Sequence, residues 1–281
     1  MTREDRKKKR IRQLRIRVCF FCVVLAALIG LIFIWTMSRQ DNDKEPQIKE
    51  VHDEIQGEQA DEKSELNEVR EKAVKAGAPE EILELLDKNP ETIDFVANYA
   101  ELKDVPPADT IGESLEEGTV PHLLQWDSKW GYQTYGDSTI AASGCGPTCL
   151  AMVIVGLTGD TTVTPYVLSK YSEDMGYAVE GGGTYANFMC ETLDEWGIEA
   201  AESLESEKFL QDEMAEGKVI VCNLNPGKYF TDVGHFIVIT GYENGVITVL
   251  DPFSIENTEK EWNYSDIKEQ VAGLYSYALK K

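Results

Sequence analysis

Hydrophobic residues are concentrated near the start of the chain and then become scarce. Val18–Met37 is a run of twenty uncharged, mostly apolar residues, and a helix of that length at ~1.5 Å per residue crosses a hydrocarbon core of ~30 Å. Residues 38–75 are polar and acidic with almost no aromatic side chains, so they bury too little apolar surface to offset the entropy of ordering them. The pattern predicts a transmembrane helix at 18–37 followed by a flexible acidic stalk at 38–75.

The residues on either side of the apolar run predict its orientation. Residues 1–17 hold nine Lys and Arg and only two acidic residues, whereas Arg39 is the lone basic residue soon after the run. Basic segments stay in the cytoplasm, so we expect a cytoplasmic arm at 1–17 and a single-pass membrane protein with the rest of the chain outside. A cleaved signal peptide is the alternative, but its apolar stretch is typically ~7–15 residues, and Thr36-Met37-Ser38 is a poor cleavage site.

Helical periodicity begins in a short prefix at residues 76–118. Pro79-Glu80-Glu81 is typical of a helix start, and Asn89-Pro90 of a helix end. A second short helix is predicted from Glu91-Thr92. The apolar positions of the two helices are Ile82, Leu83, Leu85, Leu86, Ile93, Phe95, Val96 and Tyr99. Short amphipathic helices are unstable alone, so we expect the prefix to pack on the domain that follows.

The remaining residues, 119–281, form the predicted main domain. Its first half has helical patterns, and its second half has runs rich in β-branched and aromatic residues, which are typical of strands. These runs are Lys218–Asn223, His235–Thr240, Gly245–Leu250 and Leu274–Ala278. The arrangement predicts an α+β fold.

Composition and charge narrow the function. Of the 281 residues, 42% are hydrophobic, which excludes a wholly disordered chain. A net charge of −23 argues against a nucleic-acid partner. The net charge changes sign along the chain, because residues after the basic arm hold 18 of the 27 basic and 48 of the 50 acidic residues. No Cys/His spacing typical of a metal site is present, and we expect neither a metal nor another cofactor.

Cys145 is the strongest candidate for chemistry. It lies in Ser143-Gly144-Cys145-Gly146-Pro147, where glycines permit a sharp turn and Pro147 suits the first turn of a helix. A thiol at a helix N-terminus has its thiolate stabilised by free N–H groups, as a nucleophile requires. Cys149 is the competitor, but its neighbours are apolar, and it fits a buried position better.

A cysteine nucleophile needs a base and an orienting acid. His235, at the start of a strand, is the only histidine after Cys145, and Asp251 ends the next strand. A two-residue Asn244-Gly245 loop would put Asp251 on the wrong face, so we predict a three-residue loop, Glu243–Gly245, which sets Asp251 opposite Ile237 and diagonal to His235. Upstream, Gln125 offers an amide donor for an oxyanion.

The order and the residue sequences of these motifs resemble those of a known family. QWDSKWGYQTYG, SGCGPTCLAMV, GGGTY at 181–185, GKYFTDVGHFIVITGY and ITVLDP, which together span about Leu123–Tyr277, are similar to papain-like cysteine peptidases related to bacteriocin-processing, double-glycine leader peptidases. The resemblance implies a papain-like fold, with a helical half carrying the cysteine and an antiparallel sheet carrying histidine and aspartate. It implies Cys145 as nucleophile, His235 as base, Asp251 as orienting acid and Gln125 as oxyanion donor.

The leading hypothesis is a membrane-anchored, extracytoplasmic cysteine peptidase or amidase. Its partners would be a peptide or protein substrate, which could include a peptidoglycan cross-bridge, and membrane lipid around residues 18–37. Residues 119–281 hold 9 basic and 24 acidic residues, which favours cationic or neutral substrates. The alternatives are a catalytically silent module that binds a peptide or cell-wall component, and a structural role for the cysteines in which Cys190 and Cys222 form a disulfide.

Overall fold

The structure is a computed structural model that describes residues 64–112, 115, 118–191, 193–204 and 206–281. The predicted cytoplasmic arm at 1–17, the predicted transmembrane helix at 18–37 and the predicted stalk as far as residue 63 lie outside the described residues. Within the described ranges, no helix combines the length and the apolarity needed to cross a bilayer. Residues 64–281 form one structural unit.

The prefix is helical and starts earlier than its sequence pattern indicates. Helix α1 runs through residues 64–75, so the stalk prediction is wrong for these positions. The reason is a short apolar stripe at Leu66, Val69 and Ala73 that packs on the following helices. The next elements are α2 (Glu80–Lys88), a 3-10 turn (Pro90–Thr92), α3 (Ile93–Ala97) and α4 (Tyr99–Leu102), which confirms both predicted helices.

The prefix packs on the main domain, as expected. Its buried side chains form one cluster with Tyr132 and Ala141 of the main domain. The Phe95 ring stacks on the Tyr132 ring at a centroid distance of 4.1 Å. The Tyr132 hydroxyl also donates a hydrogen bond of 2.6 Å to the Phe95 carbonyl, so the contact combines apolar burial with a satisfied polar group.

The first half of the main domain is built around a central helix. After a small hairpin of β1 (Thr134–Tyr135) and β2 (Ser138–Thr139) come α5 (Ile140–Ser143), α6 (Cys145–Thr158), α7 (Pro165–Asp174), α8 (Phe188–Glu191) and a 3-10 turn (Leu193–Trp196). Residues 146–155 of α6 are all buried, as is typical of a helix that is apolar on every side. The helix ends at Gly159, whose φ of 73° requires the left-handed conformation.

The second half is a six-stranded sheet. The strands are β3 (Ile198–Ser203), β4 (Val219–Leu224), β5 (His235–Glu243), β6 (Val246–Leu250), β7 (Trp262–Asn263) and β8 (Val271–Leu279). Their order is β3-β8-β4-β5-β6-β7, and every neighbouring pair is antiparallel. The helices of this half are α9 (Glu207–Ala215), α10 (Ile255–Glu259), α11 (Tyr264–Ile267) and a 3-10 turn (Lys268–Gln270).

The sheet separates two apolar clusters. Val221 and Val238 belong to the cluster that contains α6, whereas Ile220 and Ile237 belong to the cluster that contains Leu210 of α9. All four predicted strands are present, and the mixed helix and sheet architecture confirms the α+β prediction. β3 was not predicted because its sequence, IEAAES, has a single β-branched residue.

The loop between β5 and β6 differs from the prediction. Glu243 pairs with Val246, so the turn has two residues, not three. Asn244 and Gly245 have φ values of 52° and 90°, the left-handed pair that a tight turn of this kind requires. The three-residue loop is therefore wrong.

A bulge restores the register that the site requires. Gly241 pairs with Thr248 and Ile239 with Val249, which leaves Thr240 as an extra residue on β5. Beyond the bulge, Val238 pairs with Leu250, and Asp251 follows directly after that pair. The one-residue offset that we assigned to the loop is thus supplied inside the strand.

Candidate active site

Cys145 begins the central helix, as its sequence context predicts. Gly144 precedes it with φ −89° and ψ 19°, and a Cβ at Gly144 would lie 2.5 Å from the Ile140 carbonyl oxygen, so only glycine fits the turn. Cys145 itself is half-buried and free of any disulfide. Its thiol lies at the first turn of α6, where backbone N–H groups lack helical partners.

His235 and Asp251 form a buried ion pair. His235 Nε2 lies 2.8 Å from Asp251 Oδ1, and the two side chains are 4% and 0% exposed. The Cys145 thiol lies close enough to His235 to help raise the pKa of its imidazole. Since Nε2 is engaged by Asp251, the other ring nitrogen, Nδ1, is left for the sulfur. The structure brings the three predicted residues together in the order Cys145, His235, Asp251.

The charges of the pair stabilise each other. Burial alone would lower the pKa of His235, but the charge and hydrogen bond of Asp251, together with Cys145, raise it to about 10. Burial would likewise raise the pKa of Asp251, but His235, Asn257 and the Phe253 N–H hold it below its usual value. The imidazolium and carboxylate forms are therefore favoured at neutral pH.

The shell around Asp251 uses residues that sequence reasoning missed. Phe253 N donates to Asp251 Oδ1 at 2.8 Å, and Asn257 Nδ2 donates to Asp251 Oδ2 at 2.7 Å. The Asp251 backbone is held as well, because its N–H donates to Thr258 Oγ1 at 2.8 Å and its carbonyl lies 2.7 Å from His122 Nε2. His122 precedes the cysteine motif in the sequence, and no local pattern marks it as part of the site. Asn257 and Thr258 carry no sequence signal beyond their closeness to Asp251.

Gln125 lies beside the segment that leads into the nucleophile. It is 3% exposed, its Nε2 donates to the Ala141 carbonyl at 2.8 Å, and its backbone N–H donates to the Pro252 carbonyl. Its Oε1 is buried without a hydrogen-bond partner among the described residues. One amide N–H is thus used to anchor the side chain, and its role toward an oxyanion stays a prediction.

The other described cysteines do not fit a nucleophile. Burial, with smaller effects of nearby negative charge, raises the pKa of Cys149 well above its usual value, and burial raises that of Cys222 as well. The pKa of Cys190 is raised to about 12 by burial and by Glu202. All three are free thiols. The disulfide considered for Cys190 and Cys222 is absent because the two pack in clusters that the sheet separates.

A glycine-rich hairpin lies against the start of α6. Ala178 bridges Thr184, and the three glycines at 181–183 all have positive φ. The hairpin is fixed by Thr184, whose hydroxyl lies 2.7 Å from the Tyr135 hydroxyl. A Cβ at Gly146 would lie 2.7 Å from Thr184 Oγ1, so the hairpin packs directly on the residue after Cys145. It therefore lies against the first turn of α6.

Among the described residues, no group of three or more His, Cys, Asp or Glu side chains is arranged to hold a metal ion.

Comparisons with known proteins find two similar solved structures and one matching family model. The structure is similar to the peptidase domain of Streptococcus ComA, described as a bifunctional ABC transporter involved in quorum sensing, with 17% identity, a TM-score of 0.38, and coverage of 49% of this chain and 92% of that chain. It is also similar to a putative C39-like peptidase from Bacillus anthracis, with 15% identity, a TM-score of 0.38, and coverage of 60% and 99%. A search of curated proteins finds no match. The model of the Peptidase_C39-like family matches residues 118–280, more than half of the sequence, and the chain therefore belongs to that family.

Proposed function

We propose that this protein is a membrane-anchored, extracytoplasmic cysteine peptidase or amidase that cleaves an amide bond through an acyl-enzyme on Cys145. The observation that carries the proposal is the buried His235–Asp251 pair of 2.8 Å, together with the effect of the nearby Cys145 thiol on the pKa of His235. A cysteine at the start of a buried helix, next to a protonated imidazole, has the arrangement that thiol nucleophiles use.

In the first half of the reaction, the Cys145 thiolate attacks the substrate carbonyl carbon and a carbon–sulfur bond forms. The negative charge moves to the carbonyl oxygen, where the Cys145 backbone N–H and the second N–H of Gln125 stabilise it. The His235 imidazolium then gives its Nδ1 proton to the leaving nitrogen. The carbon–nitrogen bond breaks, the amine departs, and a thioester on Cys145 remains.

In the second half, neutral His235 takes a proton from water as the water oxygen attacks the thioester. Collapse of the tetrahedral intermediate breaks the carbon–sulfur bond and releases the acid with the Cys145 thiolate. His235 is again an imidazolium. Throughout, Asp251 holds the ring by its Nε2–H and stabilises its positive charge, without taking the proton itself.

The substrate and location are proposed from charge and topology. The acidic domain favours a cationic or neutral peptide, and a peptidoglycan cross-bridge meets that description. Residues 18–37 would hold the enzyme in the membrane with its basic arm inside. Membrane fractionation, followed by protease digestion of intact cells, tests the location: the domain should be in the membrane fraction and be digested from outside.

Mass-spectrometric mapping of iodoacetamide labelling tests the chemistry. We expect Cys145 to be alkylated at pH 6, and His235→Ala to reduce that rate about a hundredfold. Cys149→Ala is the matched control and should label like the wild type. A folded protein whose Cys145 does not react would overturn the proposal and favour the silent binding module.

Turnover is tested with a peptide pool that includes cross-linked muropeptides. The wild type should generate new amino termini, and Cys145→Ser should generate none. Labelling without turnover of any peptide would contradict the assigned reaction while leaving the reactive thiol intact.

A further inference from the structure

The helical prefix reaches the turn that carries Asp251. Its residues Asn89 and Glu91 lie more than 160 positions before that turn, and both precede residues 118–280, the region shared with the family. We propose that Asn89 and Glu91 are positioning residues for Asp251. The prefix would then help to set the geometry of the active site. The inference rests on the proposed function.

The contacts from the prefix are polar and specific. Asn89 Nδ2 donates to the Phe253 carbonyl at 2.6 Å. The Glu91 carboxylate accepts two backbone N–H groups, from Ile255 at 2.8 Å on Oε2 and from Glu256 at 3.0 Å on Oε1. Hydrogen bonds to a carboxylate are stronger than those between neutral groups. The prefix therefore holds the backbone on both sides of Ser254.

The same turn supplies the partners of the Asp251 side chain. Phe253, whose carbonyl accepts from Asn89, donates its own N–H to Asp251 Oδ1. Asn257, which donates to Asp251 Oδ2, lies in α10, the helix whose first two N–H groups bind Glu91. Each carboxylate oxygen of Asp251 thus accepts a hydrogen bond from the turn or the helix whose backbone the prefix binds. A buried acid that loses such a donor is poorly stabilised.

The prefix residues are themselves arranged for this contact. Asn89 is 6% exposed, and its Oδ1 accepts from the Glu91 N–H at 2.9 Å while its Nδ2 also lies 3.2 Å from Glu91 Oε2. The asparagine amide therefore orients the carboxylate of Glu91 as well as binding Phe253. Trp126 of the main domain donates to the same Phe253 carbonyl at 2.7 Å. Asn89 of the prefix therefore supplies the second donor to this carbonyl oxygen.

Two variants of the full-length protein test this role. Glu91→Gln keeps the shape but places an amide donor against one backbone N–H. Asn89→Asp keeps the oxygen that accepts from Glu91 N but removes the donor to Phe253. Glu84→Gln is the matched control, because Glu84 lies in the same prefix and its ion pair, with Lys88 at 2.7 Å, lies on the surface. Asp251→Asn marks the full loss of the orienting acid.

The readout is the rate of Cys145 alkylation by iodoacetamide from pH 5 to pH 10, with thermal unfolding measured beside it. We expect Glu91→Gln and Asn89→Asp to slow alkylation at pH 6 by about three- to tenfold. In both variants, the low-pH part of the curve of alkylation rate against pH should shift toward that of Asp251→Asn. Glu84→Gln should match the wild type. A role in stability alone would lower the unfolding temperature and leave the profile of the folded protein unchanged.

Profiles of both prefix variants that coincide with the wild type would overturn the inference. If Asn89→Asp does not fold, Glu91→Gln decides alone. Failure of the proposed function gives a different result, namely a wild-type rate at pH 6 no faster than that of His235→Ala, so the two failures are separable.

Discussion

At the scale of single residues, the proton on His235 links the site to the stability of the whole domain. Because its pKa is raised from about 6.5 in the unfolded chain to about 10, the folded state favours the imidazolium. This stabilisation is fully present below pH 6.5 and is lost as the pH rises through about 10. Asp251, whose pKa is lowered, contributes stability above its unfolded value that is lost in acid.

Replacing Asp251 by Asn should reverse the sign of this effect at His235. Burial, the largest single influence on His235, is then opposed only by Cys145 and lowers the pKa of the imidazole. We expect the free energy of unfolding of the wild type to fall between pH 6.5 and pH 10 by more than that of Asp251→Asn, as measured by urea denaturation at several pH values. Parallel curves for the two proteins in this range would contradict the assigned ion pair.

The sequence identified the residues with distinctive local contexts and missed those without. Cys145 is marked by its flanking glycines, and His235 by being the only histidine after it. Asn257 and His122 hold Asp251 equally closely, but their roles arise from tertiary contacts to which no nearby pattern refers. Asn89 is an extreme case, since its partner is 164 positions away.

At the scale of elements, the β5–β6 hairpin shows what the alternation of residues between the two faces of a strand can and cannot predict. The strand pattern and the chemistry together required an offset of one residue, and that requirement was correct. Its location was not, because a longer loop and a bulge give the same offset, and Asn244-Gly245 strongly favours the two-residue turn. Residue patterns determine which face a side chain takes, whereas the position of an extra residue depends on the neighbouring strands.

The packing between α6 and the glycine-rich hairpin yields a prediction at this scale. Gly146→Ala places a Cβ 2.7 Å from Thr184 Oγ1 and 2.8 Å from Thr184 Cβ, and we expect it to destabilise the domain by about 1–3 kcal/mol. Thr184→Ala, which removes the hydroxyl, should relieve part of this overlap. Urea denaturation of the two single variants and the double variant measures the coupling, and a double variant that costs the full sum of the singles would show that the two residues do not touch.

At the scale of the whole molecule, the described unit is larger than the region that defines the family. The family match begins at residue 118, but the apolar cluster of the prefix continues into the main domain through Tyr132, Ala141, Trp126 and Phe253. The sequence predicted this packing from amphipathic helices that are too short to be stable alone. It placed the start of the prefix too late, because the apolar stripe of α1 is only three residues within a charged segment.

Truncation should therefore separate the family region from the stable domain. In a fragment of residues 119–281, Tyr132 loses both its stacking on Phe95 and its hydrogen bond to the Phe95 carbonyl, and its ring, now 7% exposed, becomes accessible to water. We expect this fragment to unfold at a lower temperature than residues 64–281 and to bind a hydrophobic dye, since an uncovered apolar patch is costly. Tyr132→Phe in the longer fragment is the control that removes only the hydrogen bond, and it should cost about 1 kcal/mol. Equal unfolding temperatures for the two fragments would mean that the prefix adds nothing to the stability of the peptidase domain.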